Sequence, residues 1–323
     1  MITSQERFLA ALRHEKPDRA PFNFWMDRRL MARHEQRIGH RHWRVTHYGA
    51  DVIETFAPLA FPPAPGIERD GTWWQTGPAL ADWRDAAALK LPDPADDKVY
   101  RLIGQDLAEF PDTAVILDMP TPWGIIAGLR TYELAYMDML DRPEDVLAMA
   151  RRIADLTLAV VERACRMGIT ALYLMEDLAD SRGLTLSPAM IRRFSLDLVR
   201  PHIAAAKAAG KPVLFHSDGK LDDLLPLLKE YGLDAVNPLQ PHLNDPRAFK
   251  AAHGRQLALY GGLDNCFIIP NGTAADVRAH VLDVFEAVGR PDGALIFSTH
   301  DIPLDTPPEN IEAMVAAIKE CRY

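Results

Sequence analysis

The 323-residue chain has few cysteines and no long apolar run, and each absence excludes a class of protein. Its three cysteines, Cys165, Cys266 and Cys321, are far apart and form no CxxC pair, which excludes a disulfide scaffold and a four-cysteine zinc site. No run of about 18 apolar residues is present, so we expect no membrane-spanning helix. The first residues also lack the apolar core of a secretory signal. These absences predict a cytoplasmic protein that does not act at a membrane.

An excess of positive charge is missing too. The chain has 36 Lys and Arg against 45 Asp and Glu, a net charge of −9, which argues against broad electrostatic binding to nucleic acid. The hydrophobic share of 48% is ordinary for a globular protein, so extended disorder is excluded. The length alone allows either two domains or one large α/β barrel.

Short apolar runs alternate with amphipathic helical stretches from about residue 112 onward, a pattern typical of βαβ units and a parallel sheet. Six such runs, with 22–25 and 51–56 added, give eight strands. Eight strands in a chain of this length predict an α/β fold, a single (β/α)8 TIM-type barrel over residues 1–323. An open doubly wound sheet is the alternative, but no Gly-rich phosphate loop follows the first strand. The six runs are 114–119, 171–177, 212–218, 235–239, 257–264 and 294–301.

Two segments fall outside this alternation. Near the N-terminus, Thr3 and Ser4 precede Glu6 and an apolar run, which is typical of a capped helix and predicts a helical extension before the barrel. Residues 56–94 are irregular and proline-containing, and they include the pair Trp73-Trp74. We interpret them as a lid or an insertion with its own small hairpin.

Titratable residues stand at the ends of four predicted strands, namely Glu176, His216 with Asp218, Asp264, and His300. The carboxyl ends of barrel strands all point to one mouth, so we expect these side chains to converge there. Histidine and carboxylate ligands suit Zn²⁺ or a similar divalent ion. Two alternatives stay open: strand-end aspartates often cap the next helix, and the same groups could act without metal as proton donors and orienting groups.

Several motifs, in order and spacing, resemble the uroporphyrinogen decarboxylase (URO-D) superfamily over essentially the whole chain. They lie at 4–12 with 16–21, 48–53, 216–219, 260–264, and 298–303 with 306–311. The resemblance implies a (β/α)8 barrel and either of two chemistries. One is cofactor-free decarboxylation of the acetate side chains of uroporphyrinogen. The other is zinc-dependent methyl transfer, usually between a corrinoid protein and a thiol such as coenzyme M.

The decarboxylase motifs are incomplete in this chain. True decarboxylases carry Arg-Gln-Ala-Gly-Arg after the first strand, where residues 25–30 read Trp-Met-Asp-Arg-Arg-Leu, and Phe-Ser-Asp after the second, where 54–58 read Glu-Thr-Phe-Ala-Pro. By resemblance, Tyr132 stands near the decarboxylase tyrosine, and His300 matches their late histidine. A decarboxylase of a carboxylated, tetrapyrrole-type substrate is therefore the alternative rather than the leading hypothesis.

The methyltransferases of the superfamily carry His-x-Cys-Gly where residues 216–219 read His-Ser-Asp-Gly, and a third cysteine ligand where His300 stands. The resemblance therefore implies a metal site of His216, Asp218 and His300, with Glu176 as fourth ligand or general base. Asp264 would orient or bind substrate, and Tyr132 is a further catalytic candidate.

From this resemblance we expect a metal-dependent methyltransferase or demethylase of the branch related to corrinoid and coenzyme M methyltransferases. Its metal would be Zn²⁺, and its partners a small-molecule substrate, a corrinoid protein and a second copy of the chain. Because histidine and aspartate ligands make a stronger Lewis acid than thiolates, an oxygen or ether substrate is as compatible as a thiol. A barrel that only binds a tetrapyrrole or corrinoid is the non-enzymatic alternative.

Overall fold

The structure is a computed structural model that describes residues 2–69 and 72–323. A curved sheet of seven parallel strands runs in the order β1-β4-β5-β8-β9-β10-β11, and the pairs β2-β3 and β6-β7 form small antiparallel hairpins. The strands are β1 (Val52–Phe56), β2 (Gly66–Arg69), β3 (Thr72–Gln75), β4 (Ala114–Pro120), β5 (Ala171–Met175), β6 (Ala179–Asp180), β7 (Gly183–Leu184), β8 (Val213–Ser217), β9 (Ala235–Pro238), β10 (Ala258–Leu263) and β11 (Leu295–Thr299).

Helices connect the parallel strands and surround the sheet. They are α1 (Ser4–Leu12), α2 (Arg28–Ile38), α3 (Trp43–Thr46), α4 (Arg101–Glu109), α5 (Pro122–Arg130), α6 (Tyr132–Asp141), α7 (Pro143–Met167), α8 (Pro188–Ile191), α9 (Asp197–Ala208), α10 (Leu225–Glu230), α11 (Pro246–Ala252), α12 (Ile268–Asn271), α13 (Ala274–Val284), α14 (Arg290–Asp292) and α15 (Pro308–Glu320). Short 3₁₀ segments lie at Trp83–Ala88 and Asp97–Tyr100, and π-helical turns lie at Arg192–Leu196 and Phe285–Gly289. No helix in the described ranges is both long and apolar enough to cross a membrane.

The segment that we predicted as the first strand, 22–25, closes the barrel without forming a regular ladder. Phe22 and Met26 make isolated parallel bridges to Phe297 and Ile302. On the other side, the amide of Asp51 donates to the carbonyl of Phe22 at 2.8 Å. The segment thus lies between β11 and β1, in the eighth position of the barrel, which confirms the predicted fold. The expected regular strand is not formed, because isolated bridges hold the segment in place.

The inside of the barrel is filled by side chains that alternate along the strands, as the pleat of a strand requires. At the end opposite the mouth, α1 plugs the barrel with Phe8, Ala11 and Leu12, which pack against small and branched residues such as Val52 and Ile116. The predicted capping box at Thr3 is present. Because this end is filled, a ligand reaches the interior from the other end.

The irregular region 56–94 contains the expected hairpin, β2-β3, and Trp73 and Trp74 on it are 54% and 57% exposed. Its later part lies against the outer helices, where Arg152 of α7 donates to the carbonyls of Ala86 and Leu89. Action as a lid stays a prediction.

Candidate metal centre and substrate cavity

Three of the predicted ligands come together at the mouth of the barrel. His216 lies on β8, Asp218 follows that strand directly, and His300 follows β11. One Asp218 carboxylate oxygen is 3.0 Å from Nε2 of His300, and the other is 3.9 Å from Nε2 of His216. All three ligand atoms lie within 4.8 Å of one another.

These distances suit a divalent cation. Tetrahedral zinc with bonds of roughly 2.1 Å holds neighbouring ligand atoms about 3.4 Å apart, and the two observed separations lie on either side of that value. Oδ1 of Asp218 is buried and has no hydrogen-bond partner among the described residues, so it is left to accept a cation. The donor set therefore fits the metal that we predicted from the sequence.

The ring of His216 is held in one orientation by a residue that the sequence did not indicate. Asn237 of β9 donates through Nδ2 to the carbonyl of Tyr260 at 2.8 Å, which fixes its amide so that Oδ1 faces His216. Oδ1 lies 2.8 Å from Nδ1 of His216 and also accepts from the hydroxyl of Tyr173 at 2.6 Å. Because an amide oxygen only accepts, Nδ1 carries the proton and Nε2 presents its lone pair to the cluster.

Asp218 and His300 form an ion pair that shifts both pKa values. Burial by itself raises the pKa of Asp218, but the hydrogen bond from His300 and the nearby histidine charges bring it below its usual value. Burial by itself lowers the pKa of His300, and the contact with Asp218 outweighs it and raises that pKa. A cation bound here would take the place of the proton on His300.

Asp177, and not Glu176, approaches this cluster. One oxygen of Asp177 is 3.6 Å from Nε2 of His216 and accepts from the amide of Asp218 at 3.1 Å. Glu176 is buried on the opposite side of the strand end, where its carboxyl accepts from the hydroxyls of Thr121 and Ser195. Burial, followed by the charge of Asp177, raises the pKa of Glu176 well above its usual value. Adjacent residues in a strand face opposite sides, so Asp177 lies nearer the cluster than Glu176, and a role of Glu176 as ligand or base stays a prediction.

The other two predicted residues also lie outside the cluster. Asp264 accepts at 2.8 Å from the amides of both Cys266 and Phe267, as a capping residue does, and shares a second potential ligand group with His242 and Cys266. Tyr132 lies on α6 and is 46% exposed; burial, followed by the charges of Glu176 and Asp177, raises its pKa. Neither position gives direct support to a catalytic role.

A cavity of about 180 Å³ opens beside the two histidines. Its described lining contains no lysine or arginine and consists of Trp25, Asp118, Tyr173, Met175, His216, Asn237, Thr299, His300 and Asp301. Asp118 and the nearby Glu54 are enclosed by the barrel interior, and burial raises the pKa of both carboxyls. The sequence pattern did not indicate a role for these two acids, since each stands inside a mainly apolar strand.

A glycine directly after Asp218 makes the tight turn at the mouth possible. Gly219 has a φ of +91°, which a residue with a side chain rarely adopts, and a Cβ there would lie 2.5 Å from the carbonyl oxygen of Asp180. Substitution would therefore move Asp218 relative to the two histidines.

Together, the closed parallel sheet and the polar cluster at the carboxyl ends of its strands define a (β/α)8 barrel with a site on the face where such barrels carry their active sites. Residues 69–321 match the family model for uroporphyrinogen decarboxylase (URO-D). The chain therefore belongs to the URO-D family.

Individual relatives are distant. Uroporphyrinogen decarboxylase of Magnetococcus marinus is 23% identical over 85% of this chain and 80% of its own length. The enzyme of the same name from Coxiella burnetii is 25% identical, and the match spans about half (51%) of its length and 59% of this chain. Among solved structures, a methyltransferase from Methanosarcina mazei matches with a TM-score of 0.74 and 16% identity over 99% of both chains. A B12-independent methionine synthase from Shewanella sp. W3-18-1 matches with a TM-score of 0.53 and 11% identity over 94% of this chain and 93% of its own. At these identities the structures support the fold.

Proposed function

We propose that this protein is a metal-dependent methyltransferase or demethylase of the URO-D family that acts with a corrinoid protein. The proposal rests on the cluster of His216, Asp218 and His300 beside a small cavity. The structural likeness to the Methanosarcina mazei methyltransferase supports it. The corrinoid partner and a homodimer follow from the family resemblance and are proposals of the same kind.

In this proposal His216, Asp218 and His300 hold Zn²⁺, with Asp177 placed to complete the set. When bound, the zinc would supply Lewis-acid activation of the oxygen, nitrogen or sulfur atom that carries or receives the methyl group. Asn237 sets the tautomer of the neutral His216 ring, with the proton on Nδ1 and Nε2 left for the metal, and the aromatic and methionine walls of the cavity would shield the substrate from water.

The cavity argues against uroporphyrinogen as the substrate. About 180 Å³ is small beside a tetrapyrrole, and uroporphyrinogen carries many carboxylates that need cationic partners. No lysine or arginine is among the described residues that line the cavity.

The first experiment is metal analysis of protein purified without a histidine tag. We expect one zinc per chain in the wild type and loss of that zinc in His216→Ala and His300→Ala, with Glu176→Gln unchanged. Methyl transfer is then measured from the absorbance change of cob(I)alamin with methyl ethers, methylamines and methyl thioethers. A folded protein that binds no metal at any pH, or that releases CO₂ from a porphyrinogen at wild-type rate after His216→Ala, would refute the proposal. Light scattering after size exclusion tests the homodimer.

A further inference from the structure

Two carboxyl groups lie inside the barrel beneath the metal cluster, and neither has a complete set of partners. Glu54 of β1 accepts from Nδ2 of Asn23 at 3.1 Å and from the hydroxyl of Tyr260. Its other oxygen, Oε2, and Oδ1 of Asp118 are buried and have no hydrogen-bond partner among the described residues. Asp118 lines the cavity itself. Buried polar groups are normally satisfied, so these two atoms need a partner from outside the chain, either water or a ligand.

Strand register places the two acids one above the other. Glu54 pairs with Ile116, and Asp118 follows Ile116 by two residues on the same side of β4, one step nearer the mouth. The charge of Glu54 adds to burial in raising the pKa of Asp118. The acids therefore form one electrostatic unit that extends from the barrel interior into the cavity.

The protein supplies too little positive charge to balance this unit. The charge of Arg44 lowers the pKa of both acids, and that of His216 also lowers the pKa of Glu54. The guanidinium of Arg44, however, donates to the carbonyl of Phe24 at 2.8 Å and stacks on the ring of Trp25 at 4.5 Å. Neither Glu54 nor Asp118 forms an ion pair within the described part of the chain. Asp301, at the same cavity, adds a third carboxyl.

The size and walls of the cavity restrict what could balance these acids. A volume of about 180 Å³ is similar to the roughly 150 Å³ of an engineered protein cavity that holds one benzene molecule. The side chains of Tyr173 and Met175 form an apolar part of the cavity wall, and the unpartnered oxygen of Asp118 is a hydrogen-bond acceptor there. This combination of a charged acceptor and apolar surface suits a small cation with N–H donors and short alkyl groups.

We propose that this cavity binds a small ammonium compound, which donates its N–H groups to Asp118 and packs its alkyl groups against Tyr173 and Met175. This inference rests on the proposed function, because the ammonium compound would be the substrate of the proposed methyl transfer. It narrows the expected substrates of that reaction to amines. Glu54 acts as a positioning residue, because its carboxyl below Asp118, when ionised, strengthens the preference for a cation.

The test compares isopropylammonium chloride with isopropanol, which has nearly the same shape and no charge. Binding to the full chain, stripped of metal with a chelator, is measured by calorimetry at constant ionic strength. We expect isopropylammonium to bind at least tenfold more tightly than isopropanol. Asp118→Asn should weaken its binding by roughly ten- to a hundredfold, as for loss of a charged hydrogen-bond partner. Asp180→Asn, which removes a carboxylate paired with Arg182 on the surface, should leave binding unchanged.

Glu54→Gln serves as a second variant if Asp118→Asn does not fold, and it should also weaken binding of the cation relative to isopropanol. Equal binding of the two probes, or unchanged binding in both folded variants, would overturn the inference. Zinc stoichiometry is measured on a portion of each preparation that is set aside before the chelator is added. Failure of ammonium binding with zinc intact refutes this inference alone, whereas ammonium binding in a chain that takes up no zinc refutes the proposed function alone.

Discussion

Replacement of Asn237 by leucine tests how the metal cluster is built. The change keeps a branched side chain, although a larger one, but removes the oxygen that accepts from Nδ1 of His216 at 2.8 Å and from the hydroxyl of Tyr173 at 2.6 Å. Loss of an outer hydrogen-bond partner of a metal-binding histidine costs about 10- to 100-fold in metal affinity. We therefore expect zinc binding in Asn237→Leu to weaken by about 1.4 to 2.7 kcal/mol.

The assay is a competition titration against a chromophoric zinc chelator at pH 7.5, with thermal unfolding measured on the same samples. Asn310→Leu is the matched control, because Asn310 is equally buried but donates to the carbonyls of Ile269 and Gly272. It should lose stability and keep its zinc affinity. If Asn237→Leu binds zinc as tightly as the wild type while His216→Ala does not bind it, Asn237 does not orient a metal ligand and the reasoning fails.

Four further results are expected. Free zinc at 100 times its Kd should stabilise the wild type by about 2.7 kcal/mol in urea unfolding and should leave His300→Ala unchanged. Glu176→Gln should be more stable than the wild type above pH 7. Because the pKa of Glu176 is raised in the folded state, its favourable contribution to the free energy of unfolding is present at low pH and is lost as the pH rises. Equal urea midpoints at pH 8 would contradict this. Burial lowers the pKa of His202 to about 4, so the free energy of unfolding of the wild type should fall by up to about 1.4 kcal/mol per pH unit between pH 6.5 and 4. His202→Gln should remove this dependence on pH in urea titrations. Gly219→Ala should weaken zinc binding in the chelator assay through the displaced Asp218, and wild-type affinity in a folded variant would count against the turn argument.

The fold could be predicted because strands of a parallel barrel are buried on both faces and appear as short apolar runs between helices. The first of the eight was predicted as a regular strand and is formed by bridges. The segment makes one bridge to β11, in which Phe297 bonds to the carbonyl of Pro21 and to the amide of Asn23, and one backbone hydrogen bond to Asp51 just before β1. Pro21 itself has no N–H to donate. The sequence pattern indicates that such a run is apolar and extended. The number of backbone hydrogen bonds that it makes depends instead on how it packs against strands that are distant in sequence.

The convergence of His216, Asp218 and His300 could be predicted, since strand-end residues meet at the mouth whatever the packing of the helices. Choosing between Glu176 and Asp177 needed the direction of each side chain. Tyr173 faces the barrel interior and Met175 lines the cavity. Because alternate residues of a strand face the same side, Asp177 also faces inward to the cluster, and Glu176 faces outward. To apply this alternation, one must know which side at least one residue of the strand faces, and the sequence alone does not show that.

The same two-residue count explains why the deeper acids and the metal cluster belong to one site. On β4 the inward positions run from Ala114 through Ile116 to Asp118, and on β8 they run from Leu214 to His216 and then Asp218. Each row is apolar where α1 plugs the barrel and polar towards the mouth. Apolar burial at one end stabilises the barrel and holds the strands rigid, so the costly enclosure of Asp118 is tolerated one layer above it. A ligand that enters from the mouth therefore meets the histidines first and the unpartnered carboxyl last, and a molecule that satisfies both must reach across the cavity.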